Sequence, residues 1–133
     1  STSEDAARAI GCTVAQIAKS LVFRLPDDCA LLVIASGVNR VDEKKIKRLI
    51  EAKPGRADPD FVRQATGFAI GGVAPVTLAG QPLTLLDEDL LALEEIWAAG
   101  GTPNAVFRLS PAQLEQMTGG RFVDIAKRPT ADG

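Results

Sequence analysis

The sequence predicts a single α+β domain with a mixed, largely antiparallel sheet flanked by helices. The chain has 133 residues and 46% hydrophobic content, enough for one hydrophobic core and too little for two domains. Short apolar runs with strand character are interspersed with amphipathic helical segments and short loops. The chain contains no Walker loop and no Rossmann fingerprint, so a regular βαβ nucleotide-binding sheet is not expected.

The N-terminal region predicts a capped helix followed by a β-hairpin. The helix begins after Thr2 or Ser3, either of which can cap it, and ends at Gly11. Residues 19–25 alternate loosely in polarity, whereas residues 30–35 are continuously apolar. Because a proline and two aspartates separate these runs, we expect a turn between two antiparallel strands, the second of them fully buried.

Two helices with aspartate N-caps are predicted next. Asp42 can cap a helix that extends to about residue 49, with apolar side chains on one side and lysines on the other. Asp58 and Pro59 open another helix, which Gly67 ends.

The C-terminal half predicts further strands and one late helix. The strands are expected at residues 83–86, 94–97, 105–109 and 122–125, and the helix at residues 111–118. Asp87 is expected to cap the segment 88–91 rather than to take part in chemistry. We expect residues 1–127 to form the domain and residues 128–133 to be a loose tail.

Composition limits the chemistry that the chain can perform. The chain has no histidine and no tyrosine, which excludes a histidine-activated serine or cysteine nucleophile and the usual zinc-hydrolase ligand sets. A catalytic site must therefore use lysine, carboxylates, hydroxyls, backbone amides or groups of the substrate.

Cysteine usage and hydropathy favour a soluble cytoplasmic protein. Cys12 and Cys29 are expected to be reduced and packed, because two cysteines in a chain without secretory features rarely form a disulfide. The longest apolar runs are far shorter than a membrane span, and no signal peptide opens the sequence.

The basic residues are concentrated in the middle of a chain whose net charge is −2. Residues 40–63 contain eight lysines and arginines against five acidic residues. Such a segment can contact a phosphate backbone, but lysines on a helix more often form its solvated face, and this second interpretation is favoured.

A glycine-proline loop is the most informative short motif. In Gly71-Gly72-Val73-Ala74-Pro75, two adjacent glycines allow backbone N–H groups to approach a ligand, and Pro75 stiffens the exit of the loop. Most such stretches are simple tight turns, so the motif gains weight only together with Lys19 and Ser20 in the first strand.

Several segments, in order, resemble the YbaK/prolyl-tRNA synthetase editing-domain family, whose members include ProX-like proteins. The most specific matches are the lysine within Ala-Lys-Ser-Leu-Val-Phe and the Gly-x-x-x-Pro loop. The matching segments are residues 2–7, 17–23, 66–75 and 98–102. The family fold is an α+β domain with a mixed sheet around a small pocket, and it usually carries a further strand and helix before the first matching segment, which we expect this chain to lack.

The resemblance implies a free-standing aminoacyl-tRNA deacylase that needs no cofactor or metal. Members of the family mostly hydrolyse mischarged tRNA(Pro), and the resemblance implies that a hydroxyl of the terminal ribose helps to activate water. Their partner is the 3′ acceptor end of aminoacyl-tRNA, with prolyl-tRNA synthetase or an elongation factor as further partners.

The resemblance also assigns roles to individual residues. The expected catalytic residues are Lys19, which fixes the 3′ end, and Gly71 and Gly72, whose N–H groups hold the substrate carbonyl. The expected substrate-binding residues are Ser20, Val22, Phe23, Ile70, Val73, Pro75, Gly100, Gly101 and Thr102. Asn104 is a further candidate at the same mouth, whereas the single tryptophan, Trp97, is expected in the core rather than stacked on adenine.

The amino acid removed is expected to be small and apolar. Some relatives have a polar serine or histidine where this chain has Ala98-Ala99-Gly100, which argues against cysteine or another polar substrate. Alanine and 2-aminobutyrate are therefore favoured. Two alternatives remain open at this stage: a noncatalytic module that binds tRNA or a synthetase, and a small-ester hydrolase that uses no RNA.

Overall fold

The structure is a computed structural model that describes residues 2–67, 73, 83–100 and 105–129. Within these residues the chain forms four α-helices, two 3₁₀ turns and seven β-strands. The helices are α1 (Ser3–Ile10), α2 (Glu43–Ile50), α3 (Pro59–Thr66) and α4 (Pro111–Thr118), and the 3₁₀ turns are Val14–Gln16 and Glu88–Ala92. The strands are β1 (Ile17–Arg24), β2 (Ala30–Ser36), β3 (Gly55–Arg56), β4 (Leu83–Asp87), β5 (Ile96–Ala99), β6 (Val106–Leu109) and β7 (Arg121–Val123).

The helix termini carry the capping residues that the sequence predicts. The side chains of Thr2, Asp42 and Asp58 accept hydrogen bonds from backbone N–H groups in the first turns of α1, α2 and α3. Gly11 and Gly67 end α1 and α3 in the left-handed conformation, which a residue without a Cβ adopts at no steric cost. The predicted bounds of these helices are confirmed.

The sheet is mixed, as the sequence predicts. Its strand order is β6-β5-β1-β2-β4-β7, and the short β3 also pairs with β1. The β1–β2, β1–β3 and β5–β6 pairs are antiparallel, whereas the β1–β5, β2–β4 and β4–β7 pairs are parallel. The α+β class is therefore confirmed, with antiparallel and parallel pairings in equal number among the described strands.

The central strand β2 separates two hydrophobic clusters. Leu32 and Ile34 pack on the face covered by α3 and α4, and Leu31 and Val33 pack on the face covered by Ile46 of α2. Because β2 is buried on both faces, its apolar run is continuous rather than alternating. Each fully buried leucine or isoleucine stabilises the fold by roughly 1.5–3 kcal/mol.

Four details differ from the sequence-based expectation. The fifth strand begins at Ile96 rather than at Glu94, because the charged residues before it remain outside the sheet. The last strand covers residues 121–123 rather than 122–125, and β3 carries too little apolar patterning to be predicted. Both cysteines are free as expected, but Cys29 is exposed in the hairpin turn rather than packed.

Among the described strands, the edge of β1 that faces away from β2 is paired at its two ends. Residues 17 and 18 pair with β5, and residues 23 and 24 pair with β3. In the described part of the chain, no strand pairs with residues 19–22 on that edge. We call this stretch of the edge, which carries no paired strand among the described residues, the β1 opening.

Main-chain groups of β1 are directed at this opening. In an antiparallel pair, alternate residues direct both of their main-chain groups to the partner strand. The N–H of Gly37 donates to the carbonyl of Ile17 at 2.7 Å. The main-chain N–H and C=O groups of the odd-numbered residues of β1 therefore point toward β2. The N–H and C=O groups of Ser20 and Val22 consequently point toward the β1 opening.

None of the helices within the described residues has the length and apolar content that a bilayer crossing requires.

Candidate functional site

Lys19 lies on β1 at one end of the β1 opening. Its ammonium donates a 2.6 Å hydrogen bond to the backbone carbonyl of Asn39, in the loop that follows β2. Burial lowers the pKa of the Lys19 ammonium, because the charged form loses hydration, and the nearby carboxylates of Glu4 and Asp87 offset part of this effect. The lysine is therefore a half-buried cation in a fixed position.

The loop that holds Lys19 is anchored to the carboxylates of Asp87 and Asp89. The side-chain amide of Asn39 donates to Asp87 Oδ2 at 2.8 Å and to Asp89 Oδ2 at 2.7 Å. The backbone N–H of Ser36 donates to the same Asp87 oxygen at 3.1 Å. Because β2 and β4 are parallel neighbours, they end at the same sheet edge, and this brings Ser36 next to Asp87.

Asp87 both caps a turn and ties two strands together. Its Oδ1 accepts from the N–H of Asp89 at 2.9 Å, which is the N-cap interaction that the sequence predicts. The side chain is almost fully buried, at 1% exposure, and its other oxygen binds the loop after β2. The capping role is confirmed, and the link to Ser36 and Asn39 is an additional one.

Asp89 forms a two-point ion pair with Arg128. The guanidinium nitrogens of Arg128 lie 2.8 and 3.0 Å from the two carboxylate oxygens of Asp89. These hydrogen bonds, with that from Asn39, hold the pKa of Asp89 below its usual range and raise the pKa of Arg128. The first residue of the segment expected to be a loose tail is thus attached to the domain.

A small cavity lies between α1, β1 and β5, and we call it the alanine cavity. Its volume is about 150 Å³, and Lys19, Ser20, Val73 and Trp97 contribute to its wall. Most of the remaining wall comes from small side chains, including Ala6, Ala18, Ala98, Ala99 and Ala105. A cavity of this size and lining fits a small apolar group rather than a nucleoside.

Two residues of the cavity wall each carry a buried polar atom without a partner among the described residues. The Ser20 hydroxyl oxygen and the Trp97 indole nitrogen Nε1 are buried, and neither forms a hydrogen bond within the described residues. Trp97 is half-buried and lies on the cavity wall, so the expectation that it belongs to the core was wrong. It pairs with Ile17 in the parallel β1–β5 pair, so its side chain lies on the sheet face of Ile17, opposite to the face of Ala18 and Ala98.

A second cavity continues along the β1 opening toward β3. Its volume is about 410 Å³, and its lining includes Val22, Phe23, Arg56 and Val62. Ser20 and Val73 line both cavities. The two cavities therefore meet at these two residues.

The residues predicted to bind substrate divide into three groups. Lys19, Ser20 and Val73 meet at the alanine cavity, and Val22 and Phe23 line the second cavity. Gly100 is exposed beside the alanine-cavity wall, and its N–H donates to the carbonyl of Ala105 at 2.7 Å. The remaining residues, Ile70, Gly71, Gly72, Pro75, Gly101, Thr102 and Asn104, lie outside the described residues.

The basic segment forms mostly exposed surface. Lys44, Lys47 and Arg48 are exposed on α2, opposite the buried Ile46. Lys45 instead binds Asp124 and the carbonyl of Ala126, at 2.9 and 2.8 Å. This arrangement agrees with the solvated-face interpretation of the segment.

Sequence patterns did not single out Asn39 or the indole of Trp97 as site residues. Both depend on contacts between segments that are distant in the chain, with Asn39 and Asp87 separated by 48 positions. One signal was present in the sequence: an aspartate directly after an apolar strand is a buried-carboxylate candidate as well as a helix cap.

Comparison with known proteins assigns the chain to a family. The family model of the aminoacyl-tRNA editing domain matches residues 1–117. The uncharacterized protein YwhH of Bacillus subtilis (strain 168) is 35% identical over 127 residues, which cover 95% of this chain and 81% of that protein.

Solved structures with the same fold support this assignment. One is the crystal structure of a candidate trans-editing enzyme for prolyl-tRNA synthetase, with a TM-score of 0.90 and 46% identity over 96% of this chain and 80% of that one. Another comes from work on epitope grafting onto scaffold proteins, with a TM-score of 0.90 and 42% identity over 96% of this chain and 81% of that one. The chain therefore belongs to the aminoacyl-tRNA editing domain family.

Proposed function

We propose that the protein is a trans-editing deacylase that hydrolyses mischarged tRNA(Pro) carrying alanine or 2-aminobutyrate. The observation that carries this proposal is the alanine cavity of about 150 Å³, with Lys19 and Ser20 in its wall. Membership of the editing-domain family and the fold shared with the candidate prolyl trans-editing enzyme support it.

The reaction needs positioning and charge stabilisation more than a protein nucleophile. Water attacks the ester carbonyl, the bond between that carbon and the ribose oxygen breaks, and the products are the free amino acid and the uncharged tRNA. An aminoacyl ester is already activated, so a fixed carbonyl, donors for the developing oxyanion and an oriented water suffice. The vicinal ribose hydroxyl can orient that water, which suits a chain without histidine.

The proposed oxyanion donors are the backbone N–H groups of Gly71 and Gly72. Val73, which follows the two glycines in the sequence, lines both cavities, and this supports the proposed role of its neighbours. Preorganised backbone donors at a developing oxyanion typically contribute about 2.7–4 kcal/mol each.

Lys19 is proposed to hold the 3′ end of the tRNA through a phosphate or a group of the terminal adenosine. An ammonium has three donors, and the bond to the Asn39 carbonyl uses one of them. The other donors and the positive charge remain for the substrate. Within the described residues, fixation by Asn39 places the charge without a hydrogen bond to an acidic side chain that would compete with a phosphate.

The size of the cavity is proposed to select the amino acid. One methylene in an apolar pocket changes discrimination by only about 1–3 kcal/mol, so selection among small residues depends on a close steric fit. Alanine side chains on α1, β1 and β5 leave space for a methyl or ethyl group. Enlarging any of them should exclude 2-aminobutyrate before alanine.

The proposed partner is the 3′ acceptor end of aminoacyl-tRNA. A net charge of −2 predicts modest intrinsic affinity for RNA, so we propose that prolyl-tRNA synthetase or an elongation factor supplies the charged tRNA. A noncatalytic module that binds tRNA or a synthetase is the alternative function, since the same cavities can recognise a 3′ end without hydrolysing it.

This proposal is tested by measuring hydrolysis rates for a tRNA substrate and a small ester at several salt concentrations. The deacylase should hydrolyse alanyl-tRNA(Pro) far faster than alanine methyl ester, and rising salt should slow only the tRNA reaction, because phosphate contacts make RNA binding salt-dependent. Equal rates on both substrates would instead indicate a small-ester hydrolase. Retention of charged tRNA on the protein without ester cleavage would indicate the binding module.

A further inference from the structure

We propose that Arg128 is a positioning residue for Lys19. The two cations are linked through Asp89 and Asn39. The inference rests on the proposed function, in which the Lys19 ammonium holds the 3′ end of the substrate. It deepens that function by naming a residue that fixes the ammonium without lining either of the two cavities beside β1.

A continuous series of short contacts joins Arg128 to Lys19. The guanidinium nitrogens Nη1 and Nη2 of Arg128 bind the carboxylate of Asp89 at 2.8 and 3.0 Å. The Asp89 oxygen that accepts from Nη1 also accepts from the side-chain amide of Asn39, at 2.7 Å. The main-chain carbonyl of Asn39 accepts from the Lys19 ammonium at 2.6 Å. A movement of Arg128 can therefore reach Lys19 through two intermediate residues.

The side-chain amide of Asn39 uses both of its hydrogens in this network. An amide nitrogen carries two N–H donors, and that of Asn39 donates to Asp87 at 2.8 Å as well as to Asp89. Two bonds in different directions define the orientation of the side chain, whereas one bond permits rotation about it. Loss of the bond to Asp89 should therefore loosen the residue whose carbonyl holds Lys19.

Arg128 is also the counter-charge that allows two carboxylates to share one amide. Asp87 and Asp89 accept from the same nitrogen atom, so their negative charges lie close together and repel each other. Asp87 is 1% exposed and accepts from two backbone N–H groups, whereas the side chain of Asp89 lies at the surface. Without the guanidinium, Asp89 is the carboxylate that should move away, and its bond to Asn39 should break.

The main chain before Arg128 holds the same loop. Val41 and Ala126 form an antiparallel bridge, and the N–H of Lys127 donates to the carbonyl of Arg40 at 2.8 Å. These contacts place the last turn of the chain before Arg128 directly beside the loop after β2. The arginine side chain is thus delivered to Asp89 by a segment that is itself attached to the loop.

The exposure of the ion pair separates positioning from folding. The side chains of Arg128 and Asp89 are 44% and 37% exposed, and exposed ion pairs contribute little to the free energy of unfolding. A purely structural role predicts that removal of Arg128 has small effects on both Tm and catalysis. The positioning role predicts a small fall in Tm together with a clear fall in kcat/KM.

The first measurement needs no substrate. NMR relaxation of lysines carrying ¹³C at Cε reports the order of each side-chain end, and Lys19→Arg assigns the Lys19 signal. In the wild type, the Lys19 Cε group should be more ordered than that of Lys47, which is exposed on α2. In Arg128→Ala we expect the Lys19 order parameter to fall toward the Lys47 value. An unchanged order parameter would overturn the proposal.

Two further variants show whether the contact or the charge matters. Arg128→Lys keeps a cation but loses the two parallel donors, so it should give an intermediate order parameter for Lys19. Arg121→Ala removes a charge from an exposed position on β7, and Arg121 has no ion pair within the described ranges. It should leave Lys19 unchanged. An equal loss of order in Arg121→Ala would assign the effect to net charge and contradict positioning.

A double-mutant cycle tests whether the effect passes through Asp89. Arg128→Ala should lower kcat/KM on alanyl-tRNA(Pro) about twofold to thirtyfold, the range for residues that act through others. In an Asp89→Ala background the same substitution should have no further effect, because the link is already absent. An equal fall in both backgrounds would mean that Arg128 contacts the tRNA directly, and the positioning role would be wrong.

The outcomes for the inference and for the proposed function are separable. If the wild type deacylates tRNA and Arg128→Ala leaves the order of Lys19 unchanged, positioning is overturned and the deacylase function stands. If the wild type does not deacylate but Arg128→Ala loosens Lys19, the positioning role stands and the catalytic function falls.

Discussion

The ammonium of Lys19 is fixed by the backbone carbonyl of Asn39 at 2.6 Å, and the side chain of Asn39 is in turn fixed by Asp87 and Asp89. The position of the lysine thus depends on a loop rather than on a paired carboxylate. Loss of these anchors should move the charge without removing it.

The substitution Asn39→Ala tests this dependence. It removes both amide hydrogen bonds and leaves the carboxylates of Asp87 and Asp89 without those donors, so we expect the free energy of unfolding to fall by about 1–3 kcal/mol. We also expect kcat/KM for deacylation to fall about tenfold to a hundredfold, because displacement of a positioning group by 1 Å is costly. Urea unfolding and steady-state kinetics at 25 °C measure the two effects.

The conservative variant Asn39→Gln keeps the amide and lengthens the side chain by one methylene. If both variants retain full kcat/KM while losing stability, the loop stabilises the fold but does not position Lys19.

Asp87→Ala should be among the most destabilising single substitutions in the described part of the chain. It removes a carboxylate that is 1% exposed and accepts from two backbone N–H groups and the Asn39 amide. Because buried donors are left unpaired, we expect a loss of about 3–5 kcal/mol, measured by chemical denaturation.

Glu95→Ala is the matched control for that experiment. Glu95 forms an exposed pair with Arg108 at 3.5 Å, and such surface pairs contribute about 0–1 kcal/mol. An equal effect of the two substitutions would contradict the role assigned to Asp87.

Gly37→Ala should disrupt the junction between the loop after β2 and the N-terminal turn. A Cβ at residue 37 would lie 2.5 Å from the carbonyl oxygen of Val14, and that oxygen belongs to the backbone. We expect about 1–3 kcal/mol of destabilisation from overpacking. A fall in Tm with no change in the secondary-structure spectrum would fit this cause.

Gly119→Ala separates steric crowding from backbone strain. Gly119 has φ +65° and no atom within 4 Å of the added Cβ, so its cost should be that of the left-handed conformation, about 1–2 kcal/mol. It lies after α4, away from the Lys19 loop, so deacylation should remain unchanged. Loss of activity in this variant at a temperature where it is folded would count against the assigned site.

The Asp89–Arg128 pair predicts a specific acid dependence of stability. Hydrogen bonds from Arg128 and Asn39 lower the pKa of Asp89 in the folded state, so the pair stabilises the fold above the ordinary carboxyl pKa of about 4. That stability is lost as the pH falls through the lowered pKa. The difference in unfolding free energy between wild type and Asp89→Asn should therefore shrink from pH 7 to pH 3, whereas a constant difference would refute the linkage.

Lys19 predicts an alkaline dependence of activity. Burial lowers its pKa, so the ammonium should lose its proton at a lower pH than the ordinary lysine value of about 10.4. The value of kcat/KM, corrected for spontaneous ester hydrolysis, should decline through this range. An enzymatic rate that continues to rise up to the ordinary lysine pKa would contradict a role for the charged form.

The fold was largely predictable because its signals are local. Thr2, Asp42 and Asp58 cap helices through bonds to the next turn, and the continuous apolar run of β2 indicates a strand buried on both faces. The shift of β5 and the two-residue β3 were not predictable, since pairing with β1 rather than local propensity sets their bounds.

The site was predictable in part. Lys19 and Ser20 stand out because a short motif carries them, and the structure places both at the alanine cavity. Asn39 could not be identified from the sequence, because it holds Lys19 through a main-chain carbonyl that every residue type carries.

The most direct test of the proposed deacylase function is deacylation of tRNA(Pro) charged separately with alanine, 2-aminobutyrate, serine, cysteine and proline. We expect faster loss of the alanyl or 2-aminobutyryl ester with the wild-type protein, and no acceleration by the Lys19→Ala variant. Trp97 emission verifies that both proteins are folded. If none of the five esters is hydrolysed faster in the presence of the folded wild-type protein, the proposed proline-editing function is contradicted.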